Sequence, residues 1–299
     1  MEKHRPKITV IGGMNMDIGG SPEGTLIPRD SNPGRVTVRP GGVGRNIAHN
    51  LCLLGAQVQL LSAVGEDVYG AALLESCQAL GINVEMTMIR PRERSSTYLY
   101  ITDETGDMRL AIADMAITDR ITPETLAPCL ERINSSDAVV LDANLSPAAL
   151  RFLAEQVTAP LYADPVSTAK APRLKTLLGR LRILKPNRLE AETLTGERDP
   201  EKAARALLGA GVRQVFLSLG AEGLLAAEGD RLLRLPCAPA RVINTTGAGD
   251  AAMAALVWAG TQGFDLEKSA QAALLAGAAA TECREANNPR LGEILNRLP

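Results

Sequence analysis

Short apolar runs separated by longer mixed segments organise most of the chain. The runs are rich in valine, isoleucine and leucine and lack polar alternation, which is typical of strands buried on both faces. Such runs occupy residues 7–11, 57–64, 138–141, 160–163, 182–184 and 212–217. Crossover helices fit between them, so the pattern predicts a mainly parallel sheet with helices on both faces. Folds of this kind bind ligands at the carboxyl ends of their strands.

Capping residues mark the starts of several predicted helices. Ser146 and Thr122 each stand directly before a proline, which suits the N-cap and first positions of a helix. Asn187 precedes Glu190 by three positions, the spacing of a capping box. Residues 266–281 form an alanine-rich run that predicts a further helix. These helices are expected to cross over between the parallel strands.

Two segments depart from this rhythm. Residues 18–40 are rich in glycine, proline and serine, and residues 94–115 contain two alternating runs around the turn at 103–106. The second pattern is typical of a β-hairpin. The two segments could pair into a small sheet beside the main one and close over a ligand as a lid. The alternative is that both are ordinary surface loops.

Composition limits the kind of partner and compartment. The 299 residues suffice for one large core, so a single domain spanning 1–299 is expected. A net charge of -2, from 32 basic and 34 acidic residues, predicts no binding to nucleic acid or to an anionic membrane. A small molecule is the expected partner. The five cysteines are widely separated and never in a C-x-x-C pair, which favours reduced thiols and a cytoplasmic location.

The start of the chain and its longest uncharged stretch predict a protein that is neither exported nor inserted into a membrane. Residues 1–7 are charged and lead into an apolar run that is too short for a signal peptide. The uncharged stretch at 251–264 is shorter than the roughly 18 apolar residues that span a bilayer, and glycines interrupt it. No membrane partner is therefore expected.

The strongest chemical signal is T-T-G-A-G-D at residues 245–250, followed by a helical run. Gly247, Ala248 and Gly249 let backbone N–H groups converge at a helix start, where an anion fits. Asp250 would repel a phosphate there. The conflict disappears if Asp250 faces an incoming hydroxyl while the three amides hold a phosphoryl group during transfer. The motif therefore predicts phosphoryl transfer with Asp250 as the base.

Two other interpretations of this motif are available. Asp250 could be only a helix-capping residue. Residues 247–252 also match the G-x-G-x-x-A pattern of dinucleotide-binding folds. That pattern needs a tight strand-to-helix turn before it and a strand with an acidic end roughly 20 residues later. The chain has instead an irregular run at 241–244 and the alanine-rich segment at 266–281, so the context is unfavourable.

The second signal is G-G-V-G-R-N at residues 41–46, which opens another predicted helix. Gly41 and Gly42 would allow a ligand to approach the backbone closely. Asn46 in this motif, with Asn15 and Asp17 after the first strand, offers the polar groups that vicinal sugar hydroxyls require. A glycine turn with solvent-facing polar residues is the alternative.

The third signal combines two segments that follow strands. Asn187 and Glu190 could hold Mg²⁺ through water, or they could be only a capping box. Ser218, Gly220 and Gly223 belong to a turn that could pass under a nucleotide or form an ordinary hairpin. Gly-Lys never occurs, which excludes a Walker A loop. The only two histidines are far apart in sequence, which excludes H-E-x-x-H and argues against a histidine triad.

Taken in order, these motifs resemble the PfkB, or ribokinase-like, family of carbohydrate and nucleoside kinases over essentially the whole chain. The resemblance implies a ribokinase-like three-layer α/β sandwich with a mainly parallel central sheet and a small β lid from residues 18–40 and 94–115. It implies an ATP-dependent kinase with Asp250 as catalytic base and residues 247–249 as anion hole. Asn187 and Glu190 would serve Mg-ATP, and Asp17 and Asn46 would bind substrate hydroxyls. Further nucleotide contacts would come from Thr246, Ser218, Gly220 and Gly223.

A narrower similarity, to the pseudouridine kinases within that family, is visible at residues 20–22, 30–34, 44–50, 113–115, 164–170 and 184–187. It implies phosphorylation of the 5′-hydroxyl of pseudouridine by ATP. Lys170 could reach a uracil carbonyl, with Ser31, Arg45 and Met115 also at the substrate. Other nucleoside or sugar kinases (uridine, inosine, ribose) and a non-catalytic nucleoside sensor are the alternatives.

Two further expectations follow from the family likeness. Potassium-dependent relatives often carry an aspartate where this chain has Asn244, so a K⁺ requirement is in doubt. A neutral side chain provides a weaker cation ligand than a carboxylate. The edge strands of the lid predict a homodimer.

Overall fold

The computed structural model describes residues 5–298. Its largest element is an eight-stranded sheet in the order β14-β13-β12-β11-β10-β9-β1-β4. The strands from β12 to β4 pair in parallel, whereas β13 pairs antiparallel with both β12 and β14. The strands of the chain are β1 (Lys7–Ile11), β2 (Asn15–Pro22), β3 (Gly34–Gly41), β4 (Gln57–Leu61), β5 (Ala63–Gly65), β6 (Met88–Arg90), β7 (Thr97–Thr102), β8 (Met108–Asp114), β9 (Ala138–Asp142), β10 (Leu161–Asp164), β11 (Leu181–Leu184), β12 (Gln214–Ser218), β13 (Leu224–Glu228) and β14 (Arg231–Leu235).

All six apolar runs predicted as strands are strands, and the run at 57–64 is divided into β4 and β5. The sequence analysis did not predict the antiparallel hairpin of β13 and β14, which extends the sheet beyond β12.

Helices cover both faces of this sheet. They are α1 (Val43–Leu53), α2 (Val68–Ala79), α3 (Pro123–Leu126), α4 (Leu130–Asn134), α5 (Pro147–Gln156), α6 (Arg188–Thr195), α7 (Pro200–Gly209), α8 (Ala248–Thr261), α9 (Leu266–Thr281) and α10 (Leu291–Leu295). Ile8 and Val10 of β1 pack in one core with α1 and α8. Val139 and Leu141 of β9 pack in a second core with α5. Alternate residues of buried strands point to opposite faces, so one core forms on each face of the sheet and three layers result.

The predicted capping residues lie where the helices begin. Ser146 accepts a hydrogen bond from the N–H of Ala149 at the start of α5. Asn187 and Glu190 form both hydrogen bonds of a capping box at α6. Thr122 precedes α3, which is a single turn.

A separate four-stranded sheet has the order β3-β2-β7-β8. β2 pairs antiparallel with β3 and parallel with β7, and β7 pairs antiparallel with β8. The segments at 18–40 and 94–115 therefore do pair into a small sheet, as the sequence predicts.

Within residues 5–298, no helix has the length and apolarity needed to cross a bilayer. All five cysteines are free thiols in this structure. Residues 1–4 of the charged segment 1–7, for which no signal peptide is expected, lie outside the described residues.

Candidate active site

The two glycine motifs meet at the carboxyl end of the main sheet. Asn46 Nδ2, in the first turn of α1, donates a hydrogen bond to Asp250 Oδ2 at 2.9 Å, across 204 positions of sequence. Asp250 lies in the first turn of α8, whose N-cap is Gly247, with no side-chain capping hydrogen bond. The carboxylate of Asp250 is therefore directed at α1, and helix capping does not account for it.

The loop before α8 has a fixed shape. Gly247 has φ of 84°, and a Cβ at this position would lie 2.2 Å from the carbonyl oxygen of Ala286, so a side chain is excluded. Asn244 Oδ1 accepts a hydrogen bond from the N–H of Thr246 at 3.0 Å, and Asn244 Nδ2 donates to the carbonyl of Arg284. Asn244 therefore holds the loop by hydrogen bonds. Thr246 is exposed.

Two buried aspartates lie below this loop at the ends of neighbouring strands. Asp142 ends β9 and pairs in register with Asp164, which ends β10. Asp142 accepts hydrogen bonds from the N–H groups of Gly13 and Asn144 at 2.8 and 2.9 Å. Asp164 Oδ2 forms an ion pair with Lys185 Nζ at 3.0 Å, directly after β11. The site thus contains buried charges of both signs.

Asp142 and Lys185 were not predicted from the sequence as site residues. The available signal was their position, because each polar residue directly ends or follows a fully apolar strand run. The same signal identified Asn15 and Asp17 after β1.

Electrostatics sets Asp250 apart from an ordinary aspartate. Loss of hydration among surrounding protein atoms raises the pKa of Asp250 to about 8, and the nearby charges of Asp164 and Asp142 act in the same direction. The hydrogen bond from Asn46 and the charge of Lys185 oppose the rise. Asp250 keeps partial access to solvent. A carboxylate with such a pKa is a much stronger base than a free one.

Lys185 is charged in these surroundings. Its burial alone would lower the pKa of the ammonium group, but the carboxylates of Asp164, Glu190 and Asp250 outweigh burial and raise it. An ideal Cβ on Gly249 would lie 3.4 Å from Lys185 Nζ, so the ammonium group packs beside the glycine loop.

Asn15 and Asp17 form a second polar group on the side of the site next to β2. Asn15 Nδ2 donates to Asp17 Oδ1 at 2.6 Å, and a Cβ at Gly41 would lie 2.1 Å from Asp17 Oδ2. Burial raises the pKa of Asp17, whereas the Asn15 hydrogen bond and the Arg45 charge lower it. Gly42 has φ of 100°, and its Cβ would clash with the backbone at residues 13–15. The glycines therefore allow β3 and α1 to pack against the Asn15–Asp17 pair.

Arg45 and Ser31, which were predicted to bind substrate, have surroundings unlike those of the polar pair next to β2. The Arg45 guanidinium is buried and donates to Ser76 Oγ of α2 at 2.7 Å. It also donates to Asn46 Oδ1 at 3.4 Å, while Asn46 Nδ2 donates to Asp250. Ser31 lies in the exposed loop between β2 and β3.

Lys170 and Met115 lie together on the far side of Gly13. Lys170 Nζ donates to Asn144 Oδ1 at 2.5 Å. A Cβ at Gly13 would lie 2.8 Å from Asn144 Nδ2 and 3.0 Å from Met115 Cε. Burial lowers the pKa of Lys170, while the charge of Asp142 opposes this effect. Asn144, which the sequence analysis missed, therefore links Lys170 to the first strand.

The third predicted group lies along β11 and β12. Asn187 and Ser218 form an isolated parallel bridge, and the Ser218 N–H donates to the carbonyl of Pro186. Gly220 and Gly223 both have positive φ, of 62° and 97°. They turn the chain from β12 into the antiparallel strand β13, so this segment is a hairpin turn, and its contact with a nucleotide stays a prediction.

The residues around Glu190 fit a magnesium ion. Glu190 is buried, and one of its carboxylate oxygens, Oε2, accepts the capping hydrogen bond from the N–H of Asn187. Burial raises the pKa of Glu190, and the charge of Asp164 adds to this. Mg²⁺ retains several waters and is commonly held by one or two carboxylates with substrate phosphates. Among residues 5–298, no cluster of three or more His, Cys, Asp or Glu side chains that could hold a metal ion is formed.

Comparison with known proteins gives consistent matches over the full chain. Residues 5–291 match the pfkB family of carbohydrate kinases. The chain is 39% identical to the pseudouridine kinase of Escherichia coli (strain K12) over 297 residues, covering 97% of this chain and 95% of that protein.

Solved structures agree with this assignment. A carbohydrate kinase from Agrobacterium tumefaciens superposes with a TM-score of 0.85 at 31% identity, covering 98% of this chain and 96% of that one. A ribokinase of Arabidopsis thaliana, complexed with ribose and ATP, has the same fold, with a TM-score of 0.85 at 22% identity and coverage of 98% and 99%. The expected ribokinase-like α/β fold is thereby confirmed, and the chain belongs to the pfkB family of carbohydrate kinases.

Proposed function

We propose that the protein transfers the terminal phosphoryl group of ATP to the 5′-hydroxyl of pseudouridine, with Asp250 as general base. The observation that carries the proposal is the Asn46–Asp250 hydrogen bond, which brings the α1 motif and the glycine loop of α8 together at one carboxylate. The 39% identity to a pseudouridine kinase supports the choice of acceptor.

Each group at the site then has a task. The ionised carboxylate of Asp250 takes the proton of the 5′-hydroxyl. The 5′-oxygen forms a bond to the terminal phosphorus of ATP, and the bond between that phosphorus and the oxygen of the leaving ADP breaks. The amides of residues 247–249 face the developing charge of the phosphoryl group. Asn15 and Asp17 bind the ribose hydroxyls, which orients the 5′-oxygen toward Asp250. Catalysis then rests on positioning and charge.

Glu190 and Asn187 would hold Mg²⁺ through water at the nucleotide phosphates. The ion supplies positive charge that neutralises those phosphates. Ser218, Gly220 and Gly223 form the passage for the nucleotide, with exposed Thr246 at its edge. A K⁺ requirement is not part of the proposal, because both side-chain ends of Asn244 already bind the backbone.

The base of the nucleoside would lie against Lys170 and Met115. The ammonium group held by Asn144 can donate to a uracil carbonyl, and the small sheet would close over the ring as a lid. Pseudouridine has an N–H where uridine has carbon, so a pocket acceptor would lose its partner with uridine. An unpaired buried polar group costs roughly 1–3 kcal/mol, or roughly 5–150-fold in kcat/KM.

A panel of acceptors tests the assignment. ADP release is measured side by side with pseudouridine, uridine, inosine and ribose. We expect the highest kcat/KM for pseudouridine and the lowest for ribose, and Lys170→Ala should reduce these differences. A preference for ribose would contradict the nucleoside assignment while leaving a kinase, whereas no turnover with any acceptor would favour a non-catalytic sensor.

The small sheet also supports a homodimer. Residues that are paired across neighbouring strands point to the same face of the sheet. Val38, Leu99 and Ile112, which lie in one row with Ile18, are 50%, 40% and 58% exposed, and Leu110 is 58% exposed. The opposite face bears Asp17 and Tyr98. Packing against the same face of a second copy would bury these apolar side chains. We propose the cytoplasm as the place where the protein acts on its nucleoside.

A further inference from the structure

The Lys185–Asp164 ion pair is buried at the centre of the sheet's carboxyl end. The Lys185 side chain is 6% exposed and that of Asp164 is 7% exposed. Removing two charges from water costs about as much as their attraction returns, so a buried pair is a poor source of stability. Its position beside the active site requires another explanation.

The second observation is the contact between Lys185 and the glycine loop. The ammonium nitrogen lies 3.4 Å from where a Cβ of Gly249 would be, so nothing larger than hydrogen separates it from the loop. A lysine ammonium has three N–H donors, and Asp164 takes one of them. This leaves two N–H donors of the ammonium group for a further partner.

The third observation is the excess of negative charge. The charges of Asp164, Glu190 and Asp250 all act on Lys185, and the charge of Asp142 acts on Asp250 in turn. An anionic phosphoryl group that enters the loop would be repelled by Asp164 and Glu190, and by Asp250 whenever Asp250 is ionised to act as the base. Backbone amides carry only partial charge. A full positive charge at the loop resolves this conflict.

We propose that Lys185 is a further catalytic residue, whose ammonium group, held against Gly249 by Asp164, contacts the phosphoryl group during transfer. The inference rests on the kinase function proposed above. Lys185 forms and breaks no covalent bond, because it acts as a fixed positive charge and hydrogen-bond donor. One preorganised donor of this kind contributes on the order of 10²–10³ in kcat.

Asp164 is the positioning residue in this arrangement. Its second oxygen, Oδ1, accepts a hydrogen bond from the N–H of Val166 at 2.8 Å. Val166 has φ of 66°, a strained value for a β-branched residue. Both oxygens of Asp164 are therefore engaged, which fixes the carboxylate and, through it, the ammonium group of Lys185.

The test is a double-mutant comparison of Lys185→Met, Asp164→Asn and the combined variant. Lys185→Met alone leaves Asp164 unpaired and can fail to fold, so the combined variant, which removes both charges, is the decisive protein. We expect it to melt within a few degrees of wild type with kcat lower by about 10²–10³-fold. If Lys185 were only the counter-ion of Asp164, the combined variant would recover wild-type turnover, and that result would overturn the proposal.

Nucleotide binding gives a second measure that a structural role would not change. Calorimetry compares Mg-ADP with Mg-ADP plus aluminium fluoride, a mimic of the transferring phosphoryl group, both in the presence of the acceptor. The combined variant should bind Mg-ADP as wild type does and lose the gain in affinity from the fluoride complex. An unchanged gain would refute a contact between Lys185 and the phosphoryl group.

The two proposals fail in different ways. Wild-type turnover in the acceptor panel decides the proposed function, and the variants are then compared with whichever acceptor wild type phosphorylates. A different preferred acceptor leaves the Lys185 proposal intact. Absence of phosphoryl transfer by wild type overturns both.

Discussion

Replacing Asp250 with asparagine removes the proposed base and keeps the shape of the site. The substituted amide still offers an oxygen to Asn46, whose hydrogen bond to Asp250 measures 2.9 Å in the wild type. A general base contributes on the order of 10²–10⁴ in rate, so kcat should fall by that factor with ATP binding unchanged. Steady-state ADP release and calorimetry with ATP measure the two quantities. Turnover near the wild-type value would refute the assignment of Asp250 as base.

The pKa of Asp250 gives this prediction a pH signature. With a pKa of about 8, only about a tenth of Asp250 is ionised near pH 7. Because the ionised form is the base, kcat/KM for the acceptor should rise roughly tenfold per pH unit below the pKa and level off above it. The Asp250→Asn variant should lose this rise. A wild-type profile that is flat between about pH 6 and pH 9 would contradict the electrostatic part of the argument.

The same pKa predicts how stability depends on pH. The pKa of Asp250 is about 8 in the folded protein and 3.8 for a free aspartate, so between these values the side chain is charged in the unfolded chain and mostly protonated in the folded one. The favourable contribution of protonated Asp250 is therefore complete at acidic pH and is lost as the pH rises toward 8. Asp250→Asn should melt increasingly above wild type across this window. Asp265→Asn, a chemically identical change at the N-cap of α9, is the matched control. It should leave kcat unchanged and should not produce the pH-dependent rise in melting temperature relative to wild type.

Three smaller perturbations test other parts of the site. Gly247→Ala should destabilise the protein by at least about 1–2 kcal/mol in thermal or urea unfolding, because the residue has positive φ and no room, whereas Gly249→Ala should leave stability near wild type and lower kcat. Equal effects of the two changes on stability would contradict the geometry of the loop. Glu222→Gln weakens the ion pairs that hold the nucleotide turn to α6 and β14. It should raise KM for ATP a few-fold with little change in kcat, and a selective loss of kcat would argue against this role. Leu110→Glu, on the exposed face of the small sheet, should yield monomers in light scattering, and an unchanged mass would exclude this face as the dimer interface.

The sequence predicts the main sheet well because its strands are buried on both faces. A run that must be apolar throughout is easily recognised at residues 7–11 or 138–141. The missed hairpin is different. β13 has the sequence L-L-A-A-E, which reads equally well as part of a helix, and it becomes a strand through pairing with β12. Tertiary pairing overrides local propensity there.

The sequence motifs predict which backbone segments come together at the candidate site. They predict less well which partner each side chain contacts. Successive residues of a helix point roughly 100° apart, so adjacent residues of one motif have different main partners. Asn46 faces Asp250 and Arg45 binds Ser76. The position of Asp142 at the end of an apolar run was visible in the sequence, but its place beside Asp164 follows only from strand register. A linear motif contains neither kind of information.

The acidic neighbours of Asp250 have opposite effects on the two halves of the reaction. A carboxylate with an ordinary pKa would be ionised but would be a poor proton acceptor from a hydroxyl. Burial first, and then the charges of Asp164 and Asp142, raise the pKa of Asp250 and make it a stronger base. The same charges repel the phosphoryl group that this base must meet. Lys185 limits the repulsion at the glycine loop, and its charge also keeps the pKa of Asp250 from rising further. A base near the operating pH and an anion site can therefore coexist within one cluster because a single buried ammonium group serves both.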